Sequence, residues 1–408
     1  MILILLNSSV FGQSKIKTMF YNVLEFPNAL PGGRDQILQN ILAEYQPDIF
    51  MVCELQGQEG ADQILNTSLN GNLDKYDAAP YFDNQSGASP LQQLIFYRRD
   101  KFTLEDQEVI NTDVRDINRY VLQLNTLNGQ TDPVLLDIYV THLKSSQGSS
   151  NENQRLDMVR AFTDRLGSLD PNSFVIFAGD LNVYSSDEPA YQELLDPTNP
   201  ITMADPIDTP GDWHTDISFQ DIHTQSTRVD SGPFGAGAGG GMDDRFDFIL
   251  VSENMLSDPT LRYVENTYKA YGNNGNCYNR DISDGDCAGE YSQSLRNSLF
   301  SMSDHTPVIM ELETDQEIIL SGTDIAAENQ GIKLKSTVVV ETITLDIPYI
   351  GEESIDIEIY NALGQRIMNP IFQHTGTHTL DISHWASGLY YVKTTSLPNT
   401  HPIKFIKR

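Results

Sequence analysis

LLDIYVTHLKSSQGSSNENQRLDMVRAFTDRLGSLDPNSFVIFAGDLN, Leu135–Asn182, carries the pattern on which the fold turns. Two apolar runs, Leu135–Val140 and Phe174–Ala178, flank the stretch Asn151–Gly167, in which Leu156, Val159, Phe162 and Leu166 recur at helical spacing. Short apolar runs bounded by turn residues read as buried strands, and the i, i+3, i+6/7 recurrence reads as an amphipathic helix. Polar residues stand just past both strands: His142 after Asp-Ile-Tyr-Val-Thr, and Asp180 and Asn182 after Phe-Val-Ile-Phe-Ala-Gly.

The same alternation continues outward. Ile49–Cys53, Leu94–Tyr97, Phe246–Val251 and Pro307–Leu312 read as further strands. Arg34–Gln46 reads as a second helix, with Ile37, Leu38, Ile41, Leu42 and Tyr45 on one face and a stop before Pro47. Mixed α/β is the simplest fold class from Ile16 to Leu312. Near Glu313 the pattern changes. A polar linker covers 314–335, and beyond it only short strands with turn signals remain: Val338–Ile347, Ile355–Tyr360, His378–Ile382, Leu389–Thr394 and Ile403–Lys407. The expected organisation is thus a larger α/β domain over 15–313, the linker, and a small β-sandwich over 336–408. Met1–Gln13, a short apolar run followed by small and polar residues, looks like the end of a secretory signal peptide without its positive start; a buried first strand is the competing reading.

The 408 residues include 26 Lys+Arg and 57 Asp+Glu, a formal net charge of −31. Only 11 acidic and 7 basic residues follow Thr314, so the excess is concentrated in the larger domain. Such a surface repels nucleic acid and anionic lipid unless cations intervene, so a polyanion substrate would call for metal. After the first dozen residues no apolar run approaches a membrane span, and no stable membrane insertion is expected. The 3 Cys cannot form a disulfide framework. Cys277 and Cys287, ten apart in a polar loop, suit one disulfide outside the cell, with Cys53 left as a buried thiol.

The polar residues at strand ends form a series: Asn22, Glu54, His142, Asp180, Asn182, Asp247, Asp304 and His305. Each has a bland reading alone. Gly179-Asp180-Leu181-Asn182 could be an Asx turn, Ser303-Asp304-His305 a turn, His142 a satisfied histidine and Glu54 a solvated strand terminus. In concert, the carboxylate and amide oxygens suit a hard divalent cation, whereas three scattered Cys show no zinc pattern. Metal with two histidines points to hydrolysis.

The ordered series resembles the endonuclease/exonuclease/phosphatase superfamily, which includes DNase I-like nucleases and bacterial sphingomyelinases. The matching pieces are Tyr-Asn-Val-Leu-Glu-Phe around Asn22, Gln-Pro-Asp-Ile-Phe-Met-Val-Cys-Glu ending at Glu54, Leu-Ile-Phe-Tyr-Arg at Leu94–Arg98, and Thr-His-Leu-Lys-Ser around His142. Gly-Asp-Leu-Asn, Arg-Phe-Asp-Phe-Ile-Leu around Asp247 and Ser-Asp-His-Thr-Pro-Val around His305 complete them. The resemblance implies a four-layer α/β sandwich, two mixed sheets face to face with helices outside. It further implies Glu54 as principal ligand of Mg2+, with Ca2+ or Mn2+ as alternatives, helped by Asn22 and Asp304. His305 would be the base toward water, with Asp304 orienting it or touching the metal. Asp180 and Asn182 would position nucleophile and phosphate; His142 would meet a phosphate oxygen or the leaving group; Asp247 would orient His142 or serve a second metal. The chain departs from the pattern at Pro90-Leu91-Gln92-Gln93, where two-histidine relatives commonly carry a glutamate. Ser231–Gly241, rich in glycine, is expected to be a mobile loop beside the site; with no Gly-Lys-Ser/Thr following, it is no P-loop.

The tail resembles the type A sorting domain of type IX secretion cargo, through Ile357–Gln365, Leu380–Ser383, Ser387–Lys393 and the basic end Lys404–Arg408. That resemblance implies a secreted or cell-surface protein, exported across both membranes of a Gram-negative bacterium through the type IX machinery. The leading expectation is a monomeric, metal-dependent extracellular nuclease acting on DNA or RNA. Alternatives are a sphingomyelinase-like phospholipase, a small-molecule phosphatase or a non-catalytic surface binding protein.

Overall fold

The computed structural model describes residues 14–71, 73–319, 333–335, 338–347, 355–372, 376–394 and 403–408. The expected signal segment 1–13 and most of the expected linker lie outside the described residues. The chain divides into two compact units, one reaching to Ile319 and one containing the tail.

In the first unit, one sheet contains β1 (Ser14–Phe26), β2 (Ile49–Leu55), β3 (Tyr76–Ala78), β4 (Gln92–Arg98), β11 (Arg262–Tyr263), β12 (Lys269–Ala270) and β13 (Val308–Thr314). Its order is β11-β13-β1-β2-β4-β3, with β12 also on β13. The second contains β5 (Phe102–Ile110), β6 (Ile117–Leu124), β7 (Leu135–His142), β8 (Phe174–Asp180), β9 (Met203–Ala204) and β10 (Asp247–Ser252), in the order β5-β6-β7-β8-β10-β9. Both faces of each sheet must be covered, and the cores show how. One cluster joins Phe20, Val52 and Phe96 of the first sheet with Tyr120, Ile138 and Ile249 of the second, and with Leu38, Ile41 and Leu299 on helices outside the first. The other packs Tyr139, Phe177 and Leu250 against Val159, Phe162 and Leu194 on the outer face of the second. The outer helices are α1 (Arg34–Tyr45) and α5 (Gln293–Met302) on one side, and α3 (Ser149–Leu166) and α4 (Pro189–Leu194) on the other; the short α2 (Gly57–Gln63) follows β2. This is the four-layer sandwich that the motif series implied.

The expected strands recur, most of them longer by one or two residues because backbone pairing continues past the apolar run, while Phe246–Val251 shifts by one residue to Asp247–Ser252. β1 is the largest addition: its Thr18 and Asn22 interrupt the apolar pattern, yet both are fully buried between partners. Beyond β13 the chain returns to the first unit, with Leu127 N donating to Glu317 O and Ile319 N to Asn125 O. No helix among the described residues is long and apolar enough to cross a membrane.

The second unit is all β. Its strands are β14 (Lys333–Leu334), β15 (Val338–Val339), β16 (Thr342–Ile347), β17 (Ile355–Asn361), β18 (Arg366–Met368), β19 (Ile371–Phe372), β20 (Gly376–Asp381), β21 (Gly388–Thr394) and β22 (Ile403–Lys407). They form a sheet β14-β16-β20 and a sheet β15-β22-β21-β17-β18, with one core from Ile343 and Leu345 to Ile359, Val392 and Phe405. The run read as one strand, Val338–Ile347, divides between the two sheets.

Candidate functional site

Strand register assembles the site. β7 and β8 are parallel with His142 opposite Asp180, and β8 and β10 are antiparallel with Asp180 opposite Asp247. Three residues far apart in the chain thereby line up across the ends of three neighbouring strands. The pairing needs Gly179: a Cβ there would lie 2.5 Å from the Thr141 carbonyl oxygen. In the facing sheet, Asn22 pairs with Cys53, and the register then shifts so that Glu54 turns inward. Glu54 and Asn182 have φ of 60° and 51°, a left-handed backbone that Asn adopts readily and that Glu54 holds because its surroundings enforce it.

The third element is the segment after α5. Arg34 donates to the carbonyls of Val23, Leu24 and Met302, tying the end of β1 to the end of α5. Ser303 Oγ donates to Asn22 O at 2.7 Å and accepts from His305 N. Asp304 and His305 are thus fixed against β1.

Asp180 is the hub. Its Oδ2 accepts from Asn22 Nδ2 at 3.0 Å and lies 3.5 Å from His142 Nε2 and 3.6 Å from His305 Nε2; its Oδ1 accepts from Asn182 Nδ2 at 2.8 Å. Asn22 Nδ2 also donates to Glu54 Oε1 at 3.0 Å, and Glu54 Oε1 lies 3.8 Å from His142 Nδ1. His305 Nδ1 meets Asp247 Oδ2 at 2.7 Å. Contrary to the expectation from the motifs, Asp247 rather than Asp304 is therefore the carboxylate that orients His305, and Asp247 does not orient His142. Asp304 Oδ2 instead accepts from Ala238 N at 2.7 Å and from Gln225 Nε2 at 3.2 Å.

Burial sets the charges. It raises Asp180 to about 7, with Asp247 and Glu54 adding repulsion against the pull of His305. Burial, then Asp304, raises Glu54. Burial, then Arg115 and His305, pushes His142 well down, so its ring is neutral. For His305 burial acts downward, but Asp247, Asp304 and Asp180 outweigh it and raise its proton affinity. Asp247 engages His305 Nδ1, so Nε2 is the ring nitrogen turned to the cavity, where Gln225 Nε2 stands 2.6 Å from it.

Glu54, His142 and Asp180 place ligand atoms within 4.8 Å of one another, the grouping of this kind among the described residues. Buried Asp180 and half-buried Glu54, both with raised pKa values, call for positive charge between them, and the Asn22 amide N–H group stands there. The oxygen-rich donor set fits a hard divalent cation. It shares Glu54 with the expected trio Asn22, Glu54 and Asp304; in that trio Asn22 Oδ1 accepts from Leu24 N, and Asp304 Oδ1 is buried without a partner.

A cavity of about 340 Å3 opens over the cluster, with Arg115, Ser145, Ser146, Tyr184 and Gln225 in its wall. None of these stands out in the sequence; Arg115 and Gln225 lie in polar loops with no periodic signal. The glycine-rich loop meets the site at Gly237 and Ala238. Ser226 Oγ donates to Ala238 O, Ala238 N reaches Asp304, and Gly237 approaches so closely that a Cβ would lie 2.9 Å from Asp304 Cγ.

Residues 339–408 match the family model of the secretion system C-terminal sorting domain. No curated protein matches the chain. Among solved structures it is similar to TDP2 of D. rerio complexed with single-strand DNA product, at 17% identity and TM-score 0.49, over 74% of this chain and 100% of that one. It is also similar to an endonuclease/exonuclease/phosphatase family protein of Bacteroides thetaiotaomicron, at 16% identity and TM-score 0.46, over 75% and 97%. A third is the mannosyl-6-phosphatase of Bacteroides thetaiotaomicron, at 17% identity and TM-score 0.42, over 73% and 99%.

Proposed function

We propose that the first unit is a metal-dependent phosphodiesterase, with DNA or RNA as its leading substrate, exported by way of its C-terminal sorting domain through the type IX machinery. The observation that carries this reading is the Asp247–His305 pair facing the Glu54, His142 and Asp180 cluster across one cavity.

The contacts support a role for each residue. Asp247 holds His305 Nδ1, so His305 Nε2 takes the proton of an attacking water, a contribution typically of ~10²–10⁴-fold. Asp180 and Asn182, joined at 2.8 Å, orient that water and the scissile phosphate. Neutral His142 and the Arg115 guanidinium face the phosphate oxygens. Glu54 and Asp180, with His142 beside them, would hold the cation. When bound, a hard divalent cation would neutralise charge developing on the phosphoryl oxygens and offset the carboxylates that keep His305 protonated.

A second reading is favoured by the small cavity and the charge of −31: a phosphoesterase acting on a compact substrate such as a sugar phosphate or a choline phospholipid headgroup. The deciding experiment assays the purified full chain on DNA, RNA, choline phospholipid and sugar phosphates, with Mg2+ and with chelator, beside His305→Ala. Metal-dependent cleavage of nucleic acid that is lost in His305→Ala supports the nuclease. Cleavage of the compact substrates alone supports the second reading, and activity unchanged by chelator and substitution would sink both.

A further inference from the structure

Ser146 and Tyr184, on one wall of the cavity, are held from behind by a buried ion pair. Arg155 of α3 is fully buried; its Nη2 lies 2.7 Å from Glu188 Oε2, to which its Nε donates at 2.8 Å. Nη1 donates to Lys144 O and to Ser146 O, each at 2.9 Å. The other oxygen of the carboxylate, Glu188 Oε1, accepts from Tyr184 N at 2.8 Å. One pair thereby ties the segment after β7 to the segment after β8, the parallel strands that end in His142 and Asp180.

Both wall residues are constrained. Ser146 has φ of 79°, a left-handed backbone that costs a serine more than a glycine, and its carbonyl is one of the two that Arg155 holds. The Arg155 guanidinium carbon lies 5.7 Å from the Tyr184 ring centroid, and the rings of Phe246 and His214 meet that ring edge to face at 5.0 and 5.1 Å. Apolar side chains of similar volume would often fill such a space with equal or greater stability. They could not fix two carbonyls and an N–H at set positions.

We infer that the Arg155–Glu188 pair positions the wall of Ser146 and Tyr184, and that this wall selects the alcohol half of the substrate: a sugar, of a nucleotide or of a hexose, rather than a choline headgroup. The inference rests on the phosphoester reading above and narrows it. A serine hydroxyl both donates to and accepts from sugar oxygens, and a tyrosine ring gives a sugar or base an apolar surface. Arg115 stands in the same cavity wall, its Nη1 donating to His142 O and Leu143 O, and its charge opposes a quaternary ammonium there. Arg155 is a positioning residue, because it touches the wall and not the reacting groups.

Calorimetric titration of the full chain compares thymidine monophosphate, a hexose phosphate, phosphocholine and inorganic phosphate. Wild type should bind one of the two sugar esters on the order of ten-fold more tightly than phosphocholine or inorganic phosphate, and the tighter of the two identifies the source of the sugar. Three variants then probe the wall. Arg155→Met combined with Glu188→Met replaces the pair by apolar side chains, Arg155→Lys keeps a cation for Glu188 without the fork that reaches both carbonyls, and Ser146→Gly removes the hydroxyl while suiting the left-handed backbone. Each should lower the preference for the sugar ester by about five- to ten-fold, the size of one lost hydrogen bond. A role in stability alone reduces the folded fraction and so the binding of every ligand alike; a preference kept in the two Arg155 variants would overturn the positioning, and one kept in Ser146→Gly would overturn the part of Ser146. Wild type that binds phosphocholine as tightly as either sugar ester would overturn the selection. Turnover with Mg2+ on the nitrophenyl ester of thymidine monophosphate and on the hexose phosphate separates this from the premise: cleavage of neither defeats the phosphoester reading and the substrate selection with it, while the titrations still decide the positioning.

Discussion

Asp180 shows how a single buried carboxylate can serve as the electrostatic centre of a site. Its pKa stands at about 7 against the ordinary 3.8, burial being the main cause. A carboxyl group raised on folding contributes most to stability at low pH, and that contribution is lost as pH rises from the unfolded to the folded value. In chelator, Asp180→Asn should therefore become progressively more stable relative to wild type between about pH 4 and pH 7, as wild type must ionise a buried acid. Thermal midpoints across that range check it; a constant difference would mean that Asp180 is already ionised at low pH. Glu54 and His142 separate by charge rather than by distance. Glu54→Gln should weaken Mg2+ binding and be partly rescued by excess Mg2+, because a hard cation loses a formal charge. His142→Ala should lower turnover by ~10²–10⁴-fold with a much smaller change in Mg2+ affinity, since neutral imidazole is a poor ligand for a hard cation. Mg2+ titrations of turnover in both variants distinguish them, and rescue of His142→Ala alone would reverse the assignment.

Elements act by holding these side chains in register. Gly179→Ala would drive a Cβ against the Thr141 carbonyl and separate β7 from β8, the pairing that sets His142 against Asp180. A loss of about 1–3 kcal/mol in urea unfolding is expected, as for other forced overpacking, together with a fall in turnover. Retained stability with lost turnover would mean that the strands shift without unfolding. The Cys277–Cys287 disulfide acts at a distance from the site. Within its loop, Ile282 N donates to Thr227 O, Asp281 Oδ1 accepts from Val229 N, and Met242 N donates to Arg280 O, so the loop braces both ends of the glycine-rich segment. Cys277→Ser should cost about 2–4 kcal/mol by loop-closure entropy and also lower turnover, because Ala238 and Gln225 reach Asp304 and His305 from the braced segment. Turnover equal to wild type at a temperature where the variant stays folded would show that the brace is not needed.

For the whole molecule, charge governs how a substrate arrives. With −31 overall, the protein repels a polyanion at long range, and salt screens that repulsion over ~8–10 Å. If the substrate is duplex DNA, KM should stay flat or fall as NaCl rises from about 0.05 to 0.2 M, the opposite of a protein that binds through a basic track. A steep rise in KM would reveal a local cationic path outweighing the net charge. Much of the architecture is legible in the amino-acid order. Alternating apolar runs imply strands, helical spacing implies the outer helices, and polar residues set beside apolar runs mark positions where side chains can gather at a sheet edge; these are local properties, set by which face of an element avoids water. Thus Asn22, Glu54, His142, Asp180, Asn182, Asp247, Asp304 and His305 could be named, as could the all-β tail. Their pairings could not. That Asp247 rather than Asp304 holds His305 follows from the β8–β10 register, and that His142 joins Glu54 and Asp180 follows from two sheets meeting at one rim. Gln225 and the glycine-rich loop carry no periodic signal, because their partners His305 and Asp304 lie tens of residues away. Hydrophobic patterning is written along the chain, whereas hydrogen bonds and buried charges depend on distances in space that only the packed sheets create.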